Sequence, residues 1–346
     1  MTVTPTSHKP FIVPIFLPHA GCPHRCVFCN QSLITGVKTQ ISSAQVRHSV
    51  ESFLKYKNAR RGKVQIAFFG GNFLGIETEE IKRLLAEAAA FIETGCADGI
   101  RFSTRPDTID RTRLDVIKNF PVATIELGVQ SMDDEVLAQT KRGHSSDDTV
   151  IALQRLKEFD YEIGVQLMVG LPGDDPGRAL ASARRVAELK PDFIRIYPTV
   201  VVAGSPLAKL YKKGRYKPLS LRDAVTQVKE IYRFFNHRNI PVIRMGLQAS
   251  DDLENGSTIL AGPYHPSFGH LVYSEIFLDM AMSAIKSAPL KGDRIGLHVH
   301  SRSVSKMRGL KNGNIKKLRE KFQLQSLKII PDDSLQKDQL DVTSFH

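Results

Sequence analysis

The chain has 346 residues, of which 42% are hydrophobic and 24% charged, and its formal net charge is +12. This composition indicates a globular protein with a large core, built as two domains or as one large α/β barrel. No run approaches the roughly 20 apolar residues of a membrane span, and Pro14 and Pro18 interrupt the apolar N-terminal run. We therefore expect no targeting segment, no membrane contact and a cytoplasmic location.

Strand-like apolar runs alternate with helix-like segments over the first part of the chain. The strands are predicted at 11–17, 63–70, 99–105, 123–130, 162–170 and 193–201. They are rich in Val, Ile and Phe without clean alternation, as expected for parallel strands buried on both faces. Helical patterns lie between them, for example at 77–93, 145–159 and 174–189. This order predicts a parallel α/β fold, either an open doubly wound sheet or a barrel.

Polar residues and glycines follow five of these strands in succession. They are Gly70, Gly71 and Asn72, then Ser103 to Arg105, Gly128 to Ser131, Gly170 to Gly173, and Thr199. In a barrel the carboxyl ends of the strands form the edge at which active-site loops converge. The pattern therefore predicts a functional site at this edge.

After about residue 205 the alternation loosens. Helices are predicted at 221–236 and 268–287, with a strand-like run at 241–248 between them. A small strand–helix–strand unit follows. We divide the chain into an N-terminal tail (1–10), a core barrel (11–205), a barrel-completing extension (206–285), a basic α/β C-terminal unit (286–335) and a frayed tail (336–346).

Positive charge is concentrated in two segments. Residues 286–328 contain twelve Lys and Arg but only two acidic residues, and "KLYKKGRYKP" (209–218) places basic residues among tyrosines. Basic groups beside stacking rings suit single-stranded RNA. The alternative is a solvated basic face for residues 286–328 and an exposed loop over the barrel mouth for residues 209–218. The candidate RNA contacts are Lys212, Lys213, Arg215, Lys311, Lys316, Lys317 and Arg319.

Three of the four cysteines, Cys22, Cys26 and Cys29, form C-x3-C-x2-C directly after the first predicted strand. Four cysteines are too few for a disulfide scaffold, so the group indicates a metal site, and the isolated Cys96 is expected to be a free thiol. A structural zinc needs a fourth ligand, here His19 or His24. An iron–sulfur cluster held by only three cysteines keeps one iron open for a substrate or cofactor.

The motif "CPHRCVFC" resembles the signature of the radical S-adenosylmethionine (SAM) enzymes, and "FFGGNF" resembles the glycine-pair motif that follows it. The pieces "STRPD", "ELGVQS", "KRGH" and "LMVGLPGD" resemble the branch that contains the catalytic subunit of Elongator and its small bacterial relatives. The resemblance covers roughly residues 11–270. It departs from the family at Asn72, which replaces an acid, and no acetyl-CoA fingerprint follows residue 250.

The resemblance implies a partial (β/α)6 barrel of the TIM type, open on one side, with a 4Fe-4S cluster and SAM as cofactors. It implies that Cys22, Cys26 and Cys29 ligate three irons and that SAM chelates the fourth. By the same resemblance, the candidate SAM contacts are Phe28, Gly70, Gly71, Asn72, Ser103, Arg105, Gln130, Gln166, Met168 and Gly170.

The activity that this implies is reductive cleavage of SAM to a 5′-deoxyadenosyl radical, with one electron from an external reductant such as flavodoxin or ferredoxin. tRNA is the substrate that the Elongator-like branch suggests. Two alternatives stay open: a radical SAM enzyme acting on a porphyrin-type molecule, and a zinc-stabilised RNA-binding module without catalysis that uses the three cysteines and His24.

Overall fold

The computed structural model describes residues 10–23, 25–31, 33, 41–56, 62–248, 258–289 and 292–345. Its centre is a seven-stranded parallel sheet in the order β1-β2-β3-β4-β5-β6-β8. The strands are β1 (Phe11–Leu17), β2 (Val64–Gly70), β3 (Gly99–Thr104), β4 (Val122–Gln130), β5 (Glu162–Val169), β6 (Phe193–Pro198) and β8 (Val242–Met245). The predicted six strands are confirmed, and the run at 241–248 adds the seventh as an edge strand.

Helices connect the strands and cover one face of the sheet. They are α1 (Ser43–Leu54), α2 (Thr78–Glu93), α3 (Arg111–Ile117), α4 (Asp134–Gln139), α5 (Ser146–Leu156), α6 (Pro176–Glu188), α7 (Pro206–Lys212), α8 (Leu221–Asn236) and α9 (Phe268–Ser287). Asp110, Ser145 and Ser220 cap α3, α5 and α8 by accepting backbone hydrogen bonds. The repeated strand–helix order and the curved sheet form a partial barrel of the TIM type, which is the fold that the family resemblance implies and one of the two that the strand–helix pattern left open.

The two faces of the sheet differ in burial. Apolar residues such as Val165, Leu167 and Ile196 face the helices and belong to the main hydrophobic core. The opposite face is concave, because the Arg195 guanidinium on β6 lies 5.6 Å from the ring centroid of Phe69 on β2. We call the space inside this concave face the lumen. Its half-buried lining residues are Ile12, Pro14, Phe16, Phe69, Ser103, Gln130, Gln166, Met168, Arg195, Tyr197 and Arg244.

A smaller unit follows the barrel. It contains β10 (Arg294–Val299), α10 (Val304–Arg308), α11 (Gly313–Phe322), β11 (Ser326–Pro331) and β12 (Leu340–Ser344), and a two-stranded ribbon of β7 (Val201–Val202) and β9 (Ile259–Ala261) lies beside the barrel. The three-stranded sheet has the order β11-β10-β12, with β11 parallel and β12 antiparallel to β10.

Two sequence-based boundaries differ from the structure. The prediction that the chain frays from residue 336 is wrong for β12. Its Leu340 and Val342 pack against a second hydrophobic core, which the end of α9 forms with β10, α10 and α11, and β12 pairs with β10. The boundary at 285 falls inside α9, whose Phe268 and Val272 belong to the first core while Phe277 and its later apolar residues belong to the second.

Among the described residues, no helix is both long and apolar enough to span a bilayer.

Candidate active site

The loop that carries the cysteines turns back sharply after β1. Gly21 has φ +67°, and a Cβ there would lie 2.2 Å from the carbonyl oxygen of Asn72. The middle of the loop is fixed by Val27, whose N–H donates to the Thr140 carbonyl (3.0 Å) and whose carbonyl accepts from the Leu207 N–H (2.7 Å). The loop is therefore held by the end of β2 on one side and by the ends of α4 and α7 on the other.

The glycine pair after β2 makes room for this loop. A Cβ on Gly71 would lie 2.2 Å from the carbonyl oxygen of Ala20, and Gly70 has φ +114°. The Gly70 carbonyl accepts a hydrogen bond from the side chain of Gln31. The family resemblance makes both glycines candidate SAM contacts, and the structure shows a separate reason for them, the packing of backbone against backbone.

Asn72 is fully buried and joins the cysteine loop to the end of β3. Its Nδ2 donates to the Gly21 carbonyl at 2.9 Å. Its Oδ1 accepts from the Thr104 hydroxyl (2.7 Å), the Arg105 N–H (3.0 Å) and the Thr108 hydroxyl (2.9 Å). Because a carboxylate has no N–H to donate to Gly21, this geometry gives a physical reason for the amide in place of the family's usual acid.

The thiols of Cys22 and Cys29 are partly withdrawn from water. Burial raises the pKa of Cys22, and burial together with the neighbouring Cys26 and Cys22 raises the pKa of Cys29 to about 12. Arg142 opposes both shifts. Metal binding requires thiolates, so positive charge must offset this cost of ionisation.

Arg142 supplies such a charge. Its Nη1 donates to the Cys26 sulfur at 3.2 Å, and its Nη2 donates to the Gly128 carbonyl. The turn that positions it has positive φ at Lys141 (52°) and Gly143 (75°). No sequence pattern indicates this role of Arg142, although the residue lies in the family-like fragment "KRGH".

Two more buried polar side chains extend this region: Arg105 lies near Cys22, and His144 lies near Arg142 and Arg105. Arg105 is 1% exposed and forms a bidentate pair with Asp107, with both N–O distances 2.8 Å. Its Nη1 and both ring nitrogens of the buried His144 have no hydrogen-bond partner among the described residues. Burial, followed by the charge of Arg142, lowers the pKa of His144 to about 3, so this imidazole is neutral.

The other candidate SAM contacts are spread over several elements. Gln166 in the lumen donates to Glu126 (3.0 Å) and to the Ser103 hydroxyl (3.3 Å). Gln130 has φ 70° and a buried Oε1 without a partner among the described residues. Met168 also lines the lumen, next to Gln166 on the same strand face.

Phe28 and Gly170 contact a neighbouring part of the fold. Phe28 packs on the small apolar cluster of Val201, Leu207 and Ala208. The Gly170 carbonyl accepts from the Tyr216 hydroxyl at 2.6 Å. A role for either residue in binding adenine stays a prediction from the sequence.

The candidate RNA contacts are exposed and lie on two separate elements. Lys212, Lys213 and Arg215 are at and after the end of α7, beside the exposed Tyr211. The other group is on and before α11; its members are Lys311, Lys316, Lys317 and Arg319.

In the described part of the chain, no three Cys, His, Asp or Glu side chains lie close enough together to hold a single metal ion. His24, the fourth ligand in the zinc alternative, lies outside the described residues. In a four-iron cluster each thiolate binds a different iron, so three ligands need not converge on one point.

A cysteine loop after β1, a glycine pair after β2 and a curved parallel sheet define the class of the radical SAM enzymes. Family models confirm it: the Radical SAM superfamily matches residues 16–186 and the Radical_SAM C-terminal domain matches residues 191–277. The chain belongs to the radical SAM superfamily and is an enzyme of that superfamily.

Particular relatives support this placement. The tRNA uridine(34) acetyltransferase of Dehalococcoides mccartyi is 27% identical over 68% of this chain and 60% of its own length. Elongator complex protein 3 of Drosophila melanogaster is 29% identical over 59% of this chain and 42% of its own length. The chain thus spans less than two thirds of either relative.

A solved structure shares the fold. The N-terminally truncated Elp3 of the archaeon Methanocaldococcus infernus superposes with a TM-score of 0.61 at 23% identity, over 77% of this chain and 62% of that chain. At this identity the match shows a common fold.

Proposed function

We propose that the protein holds a 4Fe-4S cluster on Cys22, Cys26 and Cys29, binds SAM beside it, and modifies RNA, with tRNA as the leading substrate. The observation that carries the proposal is the loop of three thiols, anchored on the glycine pair and contacted by Arg142 at the Cys26 sulfur. When bound, the cluster would pass one electron from the external reductant to SAM, whose C5′–S bond would break to give methionine and a 5′-deoxyadenosyl radical.

The residues present fit these cofactors. The three thiols are soft donors suited to iron–sulfur ligation. Arg105 Nη1, Gln130 Oε1 and the ring nitrogens of His144 are buried polar atoms without partners among the described residues. Since buried polar groups are normally hydrogen-bonded, they support a polar cofactor in this region.

The chain's own residues would position the cofactors and limit access to them. Asn72 holds the cysteine loop against β3, and Arg142 offsets negative charge at the thiolates. Cys26 is buried whereas Cys22 and Cys29 are partly exposed, so we place the approach of the reductant, such as flavodoxin or ferredoxin, on the side of the latter two. The free thiols suit a reducing compartment, and we place the protein in the cytoplasm.

The choice of RNA rests on charge and on the relatives. The exposed basic residues at the end of α7 can bind phosphates, and the exposed ring of Tyr211 beside them can stack on a base. On α11, Lys316 and Arg319 line an open hollow with Glu320, Gln323 and Leu324. We limit the proposal to radical chemistry on RNA and leave out the acetyl transfer in the relatives' names, because the aligned region covers only part of those proteins.

Anaerobic reconstitution with iron and sulfide, followed by reduction with SAM, tests the chemistry. We expect visible absorption from the cluster and formation of 5′-deoxyadenosine. Cys26→Ser should abolish both, and Cys96→Ser, which changes an exposed free thiol, should abolish neither. One equivalent of bound zinc with no iron would contradict the proposal and favour the RNA-binding module without catalysis.

Comparison of the nucleosides in total tRNA with and without the gene tests the substrate. Loss of one modified nucleoside in the deletion strain is the expected result. An unchanged profile alongside robust SAM cleavage would rule out tRNA and favour a small molecule such as a porphyrin.

A further inference from the structure

The lumen has two chemically different walls. Ile12, Pro14, Phe16 and Phe69 on β1 and β2 form an apolar wall. The wall on β6 and β8 instead carries Arg195, Tyr197 and Arg244, for which no sequence motif indicates a role. Arg195 and Arg244 are paired in register on neighbouring strands, so their side chains leave the sheet on the same face.

Carboxylates inside the barrel balance only part of this positive charge. Glu126 is fully buried, and its oxygens lie 3.5 Å from Arg101 Nε and 2.9 Å from Arg195 Nε. Arg101 also contacts Glu162 at 3.2 Å. The single negative charge of Glu126 is thus shared by the guanidinium groups of Arg101 and Arg195, and Arg244 adds a further positive charge.

Arg244 has no carboxylate within ion-pair distance among the described residues. Its Nε donates to the carbonyl of Gly246 at 3.3 Å, and the side chain is half-buried. Burial lowers the pKa of Arg244; Tyr197 and Glu126 oppose this shift, and the charge of Arg195 adds to it. Holding two like charges together in a partly desolvated site is unfavourable unless an anion accompanies them.

We propose that Arg244, with Arg195 and Tyr197, forms an anion-binding subsite in the lumen that takes an oxyanion group of the substrate, a phosphate or a carboxylate. A guanidinium presents paired N–H donors that match both groups. The Tyr197 hydroxyl already accepts from Arg195 Nη1 at 3.3 Å, and since its O–H has no acceptor among the residues that the structure describes, it can be donated to the ligand.

The subsite lies beside the residues expected to contact SAM. Gln166 pairs in register with Arg195, and Met168 pairs with Tyr197. An anion bound here would anchor the substrate next to the cofactor, on the side of the edge strand β8. Assigning the anion to RNA rests on the proposed function, and the phosphate would then be that of a nucleotide admitted to the lumen.

Arginine modification by phenylglyoxal, read by mass spectrometry of the wild-type protein, tests the subsite without any substitution. Inorganic phosphate, compared with sodium chloride at equal ionic strength, should slow modification of Arg195 and Arg244 several-fold. The exposed Arg222 on α8 provides the internal control and should be unaffected. If neither phosphate nor acetate slows the modification of Arg195 and Arg244 relative to sodium chloride, the proposal is overturned.

Binding of uridine 5′-monophosphate, measured by calorimetry against uridine, separates the two sources of the anion. For a nucleotide source we expect the phosphate to be needed for binding, and Arg244→Gln to weaken it about tenfold. Arg222→Gln is the matched control, and Arg244→Lys should give an intermediate loss. Protection by acetate alone would support the subsite and assign it to the carboxylate of a small molecule.

These measurements require neither iron nor SAM. Phosphate protection together with an unchanged tRNA nucleoside profile would therefore contradict tRNA modification and still support the anion-binding subsite. A tRNA nucleoside lost in the deletion strain, with no protection by either anion, would contradict the subsite and still support tRNA modification.

Discussion

The Nη1 of Arg142 lies 3.2 Å from the sulfur of Cys26, although the two residues are 116 positions apart in the chain. This hydrogen bond connects the turn after α4 to the centre of the cysteine loop. Hydrogen bonds to sulfur and nearby positive charge stabilise the reduced form of an iron–sulfur cluster. Arg142 is therefore placed to adjust the reduction potential of the proposed cluster.

Arg142→Gln should make that potential more negative, because it removes a charged donor to a ligand sulfur. A tenfold change in the equilibrium corresponds to about 60 mV for one electron, which is the size of shift we expect. A redox titration followed by electron paramagnetic resonance measures it. Arg222→Gln should leave the potential unchanged, and an equal shift in both variants would contradict a local effect.

Asn72→Asp should destabilise the fold by about 1–3 kcal/mol, since it removes the donor to the Gly21 carbonyl and buries an acid. Denaturant unfolding of the apoprotein gives this difference directly. The same change at the exposed Asn239 is the control. Equal stability of wild type and Asn72→Asp would show that the bond to Gly21 contributes nothing.

Gly71→Ala should cost about 1–3 kcal/mol of stability, because the new methyl group would overlap the Ala20 carbonyl. It should also slow iron incorporation by displacing the cysteine loop. A Cβ at Gly313 meets no described atom within 4 Å, so Gly313→Ala should be neutral or slightly stabilising. Normal stability and iron content in Gly71→Ala would refute the packing role.

Asp174 gives a prediction for pH dependence. Burial raises its pKa from 3.8 to about 7, against the hydrogen bond from the Gly170 N–H at 3.0 Å. The folded state therefore favours the protonated acid, and this contribution to stability is lost as pH rises from about 4 to about 7. Over that window the free energy of unfolding of wild type should fall relative to Asp174→Asn by about 1.4 kcal/mol per pH unit.

Urea unfolding at a series of pH values measures this difference. The exposed Asp160→Asn supplies the control and should track wild type throughout. A difference between wild type and Asp174→Asn that is constant with pH would contradict a raised pKa at Asp174.

Charge reversal at Lys311, Lys316, Lys317 and Arg319 should weaken tRNA binding. It should also reduce the slope of log affinity against log salt by about one for each phosphate that the protein no longer neutralises. Filter binding over a salt series measures both effects, and formation of 5′-deoxyadenosine should be unaffected. A protein with Lys82, Lys118, Lys157 and Arg222 reversed has the same net charge, and equal affinity of the two variants would exclude α11 as the docking surface.

Local sequence patterns were sufficient for the strands and for the cysteine loop, because buried parallel strands and ligand spacing are properties of short segments. They could not show that Arg142 reaches Cys26, since that hydrogen bond depends on where the turn after α4 lies in the folded barrel. β12 was missed for a similar reason: only pairing with β10 makes five mostly exposed residues a strand. The amide of Asn72 could be recognised as a departure from the family, but its partners are visible only in three dimensions.

Helix α9 places its first apolar residues in one core and its later ones, Phe277, Leu278, Ala281 and Ile285, in the other. Removal of the C-terminal unit would therefore expose this row of side chains on a helix that also packs against the barrel. The barrel and the unit should unfold in a single cooperative transition, so a shortened barrel would be a poor substitute for the intact chain.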